Sequence, residues 1–132
     1  MALQVPLRTA NPETFDAPAG ISLAEKIFDQ LGFTVAERLK ILGISRSTYD
    51  GWRKRPPYRI SRWQIEALGY VIGIFDYAHA LFGSRENVVL FLNADDPASP
   101  FNGKSPRTLM TSGLLADVAG VFHWLLAQAQ GL

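Results

Sequence analysis

The stretch TVAERLKILGISRSTYDGW, residues 34–52, decides how this chain folds. Thr34 with a glutamate three residues later is a capping box that begins a helix, and Gly43 is a typical helix stop. Ser45 can cap a second helix, which must end before Pro56 because proline has no amide hydrogen for a helix interior. The stretch therefore predicts two short helices joined by a tight turn, which is the spacing of a helix-turn-helix motif.

The second helix of the motif is expected to bury one face and expose the other. Helical spacing places Ile44, Tyr49 and Trp52 toward the core. The residues that would then point outward are Arg46, Ser47, Thr48, Asp50 and Arg53. The start of a recognition helix meets base edges, and an arginine there suits guanine through its two-pronged donor. The basic residues that would lie along the DNA phosphates are Arg53, Lys54, Arg55 and Arg59.

The charges of the chain are unevenly distributed. The formal net charge is only +1, yet residues 34–62 hold eight bases and two acids, while acids exceed bases on either side. A cluster of bases is the electrostatic footprint of a protein that binds a polyanion, although a solvated charged face would look the same. Together with the motif, the cluster favours DNA binding over a helical hairpin that has a basic face and no DNA partner.

Helix signals also occur ahead of the motif. Ser22 with Glu25 forms another capping box, an apolar stripe begins at Leu23, and Gly32 would end that helix. Three prolines and a glycine break any period before it. Residues 1–20 are therefore expected to form an irregular arm.

The remaining sequence predicts more helices and no strand. A long helix should begin at Ser61, a short one at Ser84, and another after the loop 93–105, followed by a last apolar helix over 114–130. The fold class is all-α, with about seven helices. The predicted domains are an arm over 1–20, a helix-turn-helix DNA-binding domain over 21–83 and a second helical domain over 84–132.

The residue types argue against an enzyme. The chain has no cysteine, which excludes disulfides, thiolate catalysis and cysteine-ligated zinc. The only histidines, His79 and His123, have no metal-ligand or nucleophile neighbour at useful spacing, and the pair Asp95-Asp96 is better explained as an exposed acidic turn. We therefore expect no catalysis, no metal and no cofactor.

Membrane association is not expected either. The N-terminal sequence is polar and interrupted by prolines, without a visible secretory signal. The most apolar run, residues 67–75, has nine residues between Glu66 and Asp76, whereas a bilayer span needs about 20. The absence of cysteine fits a reducing cytoplasm, which is where we expect the protein.

The helix-turn-helix stretch resembles the Xre, or Cro/repressor-like, helix-turn-helix. Residues 91–131 resemble the toxin-binding domain of Xre/MbcA/ParS-type antitoxins. The residues that carry this second resemblance are FLN at 91–93, FNGKSP at 101–106, Leu109-Met110, Gly113 and a hydrophobic helix that closes on Gly131. The two resemblances together cover about residues 34–131, in the family's order, with the Xre domain first.

Such antitoxins commonly pair with a RES-domain toxin, an enzyme that consumes NAD. The resemblance implies a RES-Xre type II toxin–antitoxin system, in which this chain covers the toxin's active-site entrance with its C-terminal region. The pair would also bind operator DNA and repress its own operon. The residues assigned to the toxin are Phe101, Lys104, Arg107, Trp124, Gln128, Gln130 and Leu132.

Helix-turn-helix proteins of this type read two half-sites, so we expect a homodimer. Its surface should lie on the Xre domain, with help from residues 67–75. Two other functions stay open: a stand-alone regulator whose C-terminal half senses a small molecule, and an interaction module without DNA binding. The FNGKSP stretch weighs against the first, and the basic segment 46–59 weighs against the second.

Overall fold

A computed structural model of the chain describes residues 11–131. Within these residues the fold is all-helical, with seven helices and no strand, as the sequence predicts. In chain order the helices are α1 (Ala17–Leu31), α2 (Val35–Leu42), α3 (Arg46–Lys54), α4 (Arg62–Phe82), α5 (Arg85–Asn93), α6 (Pro106–Met110) and α7 (Leu115–Ala129).

The turn between α2 and α3 has the geometry that the sequence predicts. The Thr34 hydroxyl accepts a hydrogen bond from the amide of Glu37 at 3.2 Å, and the Glu37 carboxylate accepts one from the amide of Thr34 at 2.8 Å. Gly43 ends α2 with a φ of 63°, and a Cβ there would also clash with the indole ring of Trp63. The hydroxyl of Ser45 caps the start of α3. Only glycine meets both demands at the turn.

The first helix begins earlier than the sequence pattern indicates. The carboxylate of Asp16 caps α1, and Pro18 lies in the first turn, where amide hydrogens have no helical partner. The predicted helix start at Ser22 is therefore wrong, and residues 17–20 are helical rather than irregular. The rest of the predicted arm includes residues 1–10, which lie outside the described residues.

The apolar stripe of α1 also differs by one residue from the predicted one. Ile27, Phe28 and Leu31 are buried, but Leu23, where the predicted stripe begins, is 41% exposed. Ala24, with 1% exposed, occupies the core position instead. A small side chain there lets α1 approach its neighbours closely, and Leu23 is left on the surface.

α4 is the central helix of the core and contacts both α1 and α7. Ile65 and Leu68 are fully buried, and α7 comes so close at Gly73 that a Cβ there would clash with the ring of Phe122. Residues 67–75 are mostly buried by these contacts. Their predicted role in a dimer surface is therefore wrong, because the segment is used inside a single chain.

By length and composition alone, α4 would pass as a membrane span. It has 21 residues and a mean hydropathy of 1.3 in its most apolar window. The sequence prediction considered only the run between Glu66 and Asp76, whereas the helix continues through both charges. The fold buries 56% of that window, and a helix surrounded by other helices is apolar on most sides. Its place in the core therefore accounts for its composition.

The C-terminal helices pack on the same core as the helix-turn-helix. Phe91 of α5 stacks on Trp124 of α7 with ring centroids 5.6 Å apart, and Phe101 meets the same indole edge-on at 5.4 Å. The predicted loop 93–105 connects α5 to α6. The predicted domain boundary follows Gly83, which ends α4, but buried apolar residues on both sides form one continuous cluster.

Candidate nucleic-acid interface and partner surface

The outward face of α3 is polar, as the sequence predicts. Tyr49 and Trp52 are 2% and 8% exposed and face the core, and Ile44 is half-buried against it. The predicted base-reading residues on the opposite, exposed face are Arg46, Ser47, Thr48 and Asp50. One side of α3 is therefore held by the fold, and the other is open to a partner.

A polar network fixes the inner side of α3. The hydroxyl of Tyr49 donates to the carboxylate of Glu25 on α1 at 2.6 Å. The guanidinium of Arg38 on α2 donates to the same carboxylate at 2.9 Å and to the Tyr49 oxygen at 3.2 Å, and it pairs with Asp29 at 2.9 Å. The network joins α1, α2 and α3, so the position of α3 depends on all three helices.

Burial and hydrogen bonding set the charges in this network. Burial, together with the hydrogen bond to Glu25, raises the pKa of Tyr49. Burial acts to lower the pKa of Arg38, but hydrogen bonds to Tyr49 and Asp29 outweigh it and raise that pKa. Tyr49 is therefore neutral and Arg38 charged at neutral pH, the states that the observed hydrogen bonds require.

Sequence reasoning missed the structural role of Arg38. It counted among the eight bases of the basic segment, yet Arg38 is only 8% exposed. A signal was available, because Arg38 precedes the buried Ile41 by three residues and Leu42 by four, which places it on the inner face of α2. The basic surface is therefore smaller than the basic segment.

The predicted phosphate-binding residues are exposed, and some have acidic partners within the chain. Arg53 lies 3.4 Å from Glu25, and Arg59 lies 2.7 Å from Glu13. The Arg59–Glu13 pair is exposed on both sides and contributes only about 0–1 kcal/mol, so a phosphate can replace Glu13. Glu25 is half-buried and already bound by Arg38 and Tyr49, whereas Arg53 itself is exposed. The two that have no ion pair within residues 11–131 are Lys54 and Arg55.

The residues predicted to contact a toxin occupy different environments. Lys104, Gln128 and Gln130 are exposed, whereas Leu132 lies outside the described residues. Trp124 is half-buried between two phenylalanine rings. Phe101 is 1% exposed, so its assignment as a direct contact is wrong in this conformation. It packs against Trp124 and thereby helps to orient α7.

Arg107 faces the helix-turn-helix rather than the solvent. Its guanidinium donates to the two carboxylate oxygens of Glu37 at 2.6 and 2.8 Å and to the carbonyl oxygen of Gly32 at 2.7 Å. It also lies over the ring of Phe33, 4.7 Å from the centroid. The hydrogen bond from Arg107, with a smaller contribution from the Thr34 amide, lowers the pKa of Glu37 to about 2 despite partial burial. The contact joins residues 70 positions apart.

The first half of the chain matches a known family. The family model of the antitoxin Xre-like helix-turn-helix domain matches residues 13–73, from before α1 into the middle of α4. Residues 13–73 form an Xre-like helix-turn-helix domain. The match supports an Xre-type antitoxin, a DNA-binding protein that has a toxin partner, in a family that is typically non-enzymatic. A search of curated proteins found no match.

The Xre-like domain has two exposed residues beside its basic surface that sequence reasoning did not assign. Tyr58 is 87% exposed in the loop after α3, and Arg62 is exposed in the first turn of α4, which contains no acid. Tyr58 is adjacent to Arg59 in sequence, and Arg62 follows Arg59 by three residues. An aromatic residue between basic ones was the available signal, because aromatic rings and cations together suit nucleic acid.

A cleft of about 240 Å³ lies inside the Xre-like domain, between α1 and the inner side of α3. Its walls are mostly apolar and include Phe28 and Trp52, while Glu25, Lys26 and Arg53 supply charge. Among residues 11–131, no three histidine, cysteine, aspartate or glutamate side chains are grouped so that they could hold a metal ion.

Proposed function

We propose that this chain is a cytoplasmic type II antitoxin that represses its own operon and neutralises a RES-domain toxin, which consumes NAD. The proposal extends the general implication of the Xre-like domain, namely DNA binding and a toxin partner. The observation that carries it is the outward face of α3, where Arg46, Ser47 and Thr48 are exposed on a helix whose inner side is held by buried contacts.

Arg46 is the residue best suited to read a base. It is the first residue of α3, and within residues 11–131 it forms an ion pair with Asp50 alone, 3.3 Å away on the exposed surface. Breaking an exposed pair of this kind costs at most about 1 kcal/mol, whereas a two-pronged contact to guanine discriminates by about 1–3 kcal/mol. The free energy is therefore expected to favour the movement of the Arg46 side chain from Asp50 to a guanine edge.

The phosphate contacts give a quantitative test of DNA binding. The residues proposed to neutralise phosphates are Arg53, Lys54, Arg55 and Arg59. Four such contacts on each protomer of the proposed homodimer correspond to a slope of about −7 in the logarithm of the association constant against the logarithm of salt concentration. Fluorescence anisotropy with the protein's own promoter measures this slope. Binding that is absent, or insensitive to salt, would contradict the DNA-binding proposal.

Toxin neutralisation is proposed for the end of α7 and the residues after it. No basic residue lies in the last turn of α7, although cations there are usually favourable for a helix dipole. Gln128 and Gln130 are exposed and uncharged. Such a surface can enter an active-site pocket without leaving an unpaired charge buried. Lys104 would contact the toxin from the neighbouring loop.

A deletion of residues 128–132 tests neutralisation without removing the core. Leu125 is fully buried and Leu126 is half-buried, whereas residues 128–131 are exposed, so circular dichroism of the shortened chain should match that of the full chain. The RES-type toxin encoded beside it should then deplete cellular NAD on co-expression. A folded, shortened antitoxin that still protects cells would exclude the proposed occlusion.

The proposed DNA-binding species is a homodimer, because helix-turn-helix proteins gain specificity by reading two half-sites. The buried segment 67–75 is not part of its surface. Light scattering at micromolar concentration, with and without operator DNA, measures the mass directly. A monomer under both conditions would count against the dimer.

A second candidate function is a stand-alone regulator that senses a small molecule. The cleft behind α3 favours it, because a ligand there would contact Tyr49 and Trp52 on the inner side of the proposed recognition helix. This places the sensor in the Xre-like domain rather than in the C-terminal half. Failure of the adjacent gene product to bind the chain, combined with operator affinity that responds to small molecules, would favour this function.

A further inference from the structure

We infer that Arg107 is a positioning residue of the helix-turn-helix, through which the C-terminal segment holds α2 and thereby α3 in place. Its effect on DNA binding rests on the proposed function, while its effect on helix position does not. The sequence prediction assigned Arg107 to the toxin instead. The geometry favours the internal role, because the side chain is already engaged with the Xre-like domain.

The contact made by Arg107 is specific in shape as well as in charge. Two guanidinium nitrogens donate to the two oxygens of Glu37, and one of them also donates to the Gly32 carbonyl. The third nitrogen lies 3.4 Å from the side-chain oxygen of Asn93. Side-chain exposure is 21% for Arg107 and 24% for Glu37. All three nitrogens are thus used, and a lysine could not reproduce the fork.

α2 connects this contact to the recognition helix. Glu37 and Arg38 are consecutive residues of α2. Glu37 is bound by Arg107 of α6, and Arg38 is bound to Tyr49 of α3. Glu37 also completes the capping box at the start of α2. Loss of the Arg107 contact should therefore loosen the start of α2 and, through Arg38, the placement of α3.

Through this connection, the C-terminal segment can change the position of the proposed DNA-binding face of α3, although Arg107 itself does not contact the DNA. A partner that binds near α6 and preserves the contact should favour DNA binding, whereas one that takes Arg107 away from Glu37 should weaken it. By linkage, DNA would change the affinity for that partner by the same factor. The two proposed binding activities would then be coupled within one chain.

Glutamine substitutions in the full-length chain test the inference. Glu37→Gln removes the charge but keeps the hydrogen-bond acceptor of the capping box. Arg107→Gln removes the positive charge, and Arg107→Lys keeps the charge but cannot form the bidentate hydrogen bonds. The matched control is Arg85→Gln, which makes the same substitution as Arg107→Gln at an exposed arginine whose ion pair is with the adjacent Glu86.

Hydrogen exchange of the α2 and α3 amides is the first measurement. Both glutamine variants at the contact should exchange about tenfold faster in these helices, Arg107→Lys should be intermediate, and Arg85→Gln should match the wild type. The double variant Glu37→Gln with Arg107→Gln should be no faster than either single one. Unchanged exchange in α2 and α3 of both single variants would overturn the inference.

Operator affinity is the second measurement, because the positioning role and simple electrostatics predict opposite effects of Glu37→Gln on DNA binding. Simple electrostatics predicts that Glu37→Gln strengthens DNA binding, because a negative charge is removed. The positioning role predicts weaker binding, by about threefold to tenfold. Tighter binding by Glu37→Gln would overturn the inference. If the wild-type chain binds no DNA, the proposed function fails, and the exchange measurement still decides the role of Arg107.

Discussion

Protonation of Glu37 should weaken this protein at acid pH by a predictable amount. The hydrogen bond from the Arg107 guanidinium holds the pKa of Glu37 at about 2, whereas its ordinary value is 4.5. The ion pair is partly exposed to water, and solvent screening reduces its contribution to stability. The unscreened pKa difference corresponds to about 3 kcal/mol of folding free energy, so the screened contribution lies between about 1 and 3 kcal/mol.

The direction of the pH effect follows from the lowered pKa. Because the unfolded chain binds this proton more readily than the folded chain, the stabilisation is complete above about pH 5 and disappears as the pH falls to 2. Less than half of it should remain at pH 3. Arg107 stays charged throughout, since its hydrogen bond to Glu37 raises its already high pKa.

Urea denaturation of the wild type and of Glu37→Gln, followed by circular dichroism from pH 7 to pH 2.5, measures this contribution. The difference in unfolding free energy between them should be about 1–3 kcal/mol at pH 7 and well under 1 kcal/mol at pH 2.5. The other carboxylates titrate alike in both chains, so the difference isolates Glu37. A difference that stays constant over this range would refute the reasoning.

Arg46→Ala should weaken operator binding by about 1–3 kcal/mol and relax the preference at one base position, as measured with single-base operator variants. Lys54→Ala should weaken binding to all sequences equally and reduce the magnitude of the salt slope of the homodimer by about two, whereas a sequence-dependent loss would contradict a phosphate contact. Tyr49→Phe removes the hydroxyl that links α1 and α2 to α3, so the unfolding free energy should fall by about 1–3 kcal/mol, and no change would exclude this link. Gly51→Ala should raise the unfolding free energy by about 0.5–1 kcal/mol, because alanine is favoured over glycine inside a helix and nothing lies within 4 Å of the added methyl group. Denaturation measures both.

Local signals in the sequence were sufficient for most helix ends and for the outward face of α3. The capping box at Thr34, the turn at Gly43 and the cap at Ser45 each depend on partners within four residues, so they can be read without the fold. The same applies to the helical spacing that places Tyr49 and Trp52 on the buried face of α3. Where two local signals competed, as at the start of α1, the composition of Pro18 and its neighbours was misleading, because a proline in a first turn and a proline in a loop look alike in sequence.

The tertiary structure decided which charged and aromatic side chains are free to act. Arg38 and Arg107 resemble surface bases in the sequence, yet one is held by α1 and α3, and the other by a glutamate 70 residues away. Phe101 lies in a loop by composition and in the core by packing. Such contacts depend on how helices distant in the chain come together. Helical spacing places Arg38 on the inner face of α2, but a residue's type and its near neighbours do not identify its partner on a distant helix. The DNA-facing residues were therefore predictable one helix at a time, whereas the contact that joins them to the C-terminal segment was not.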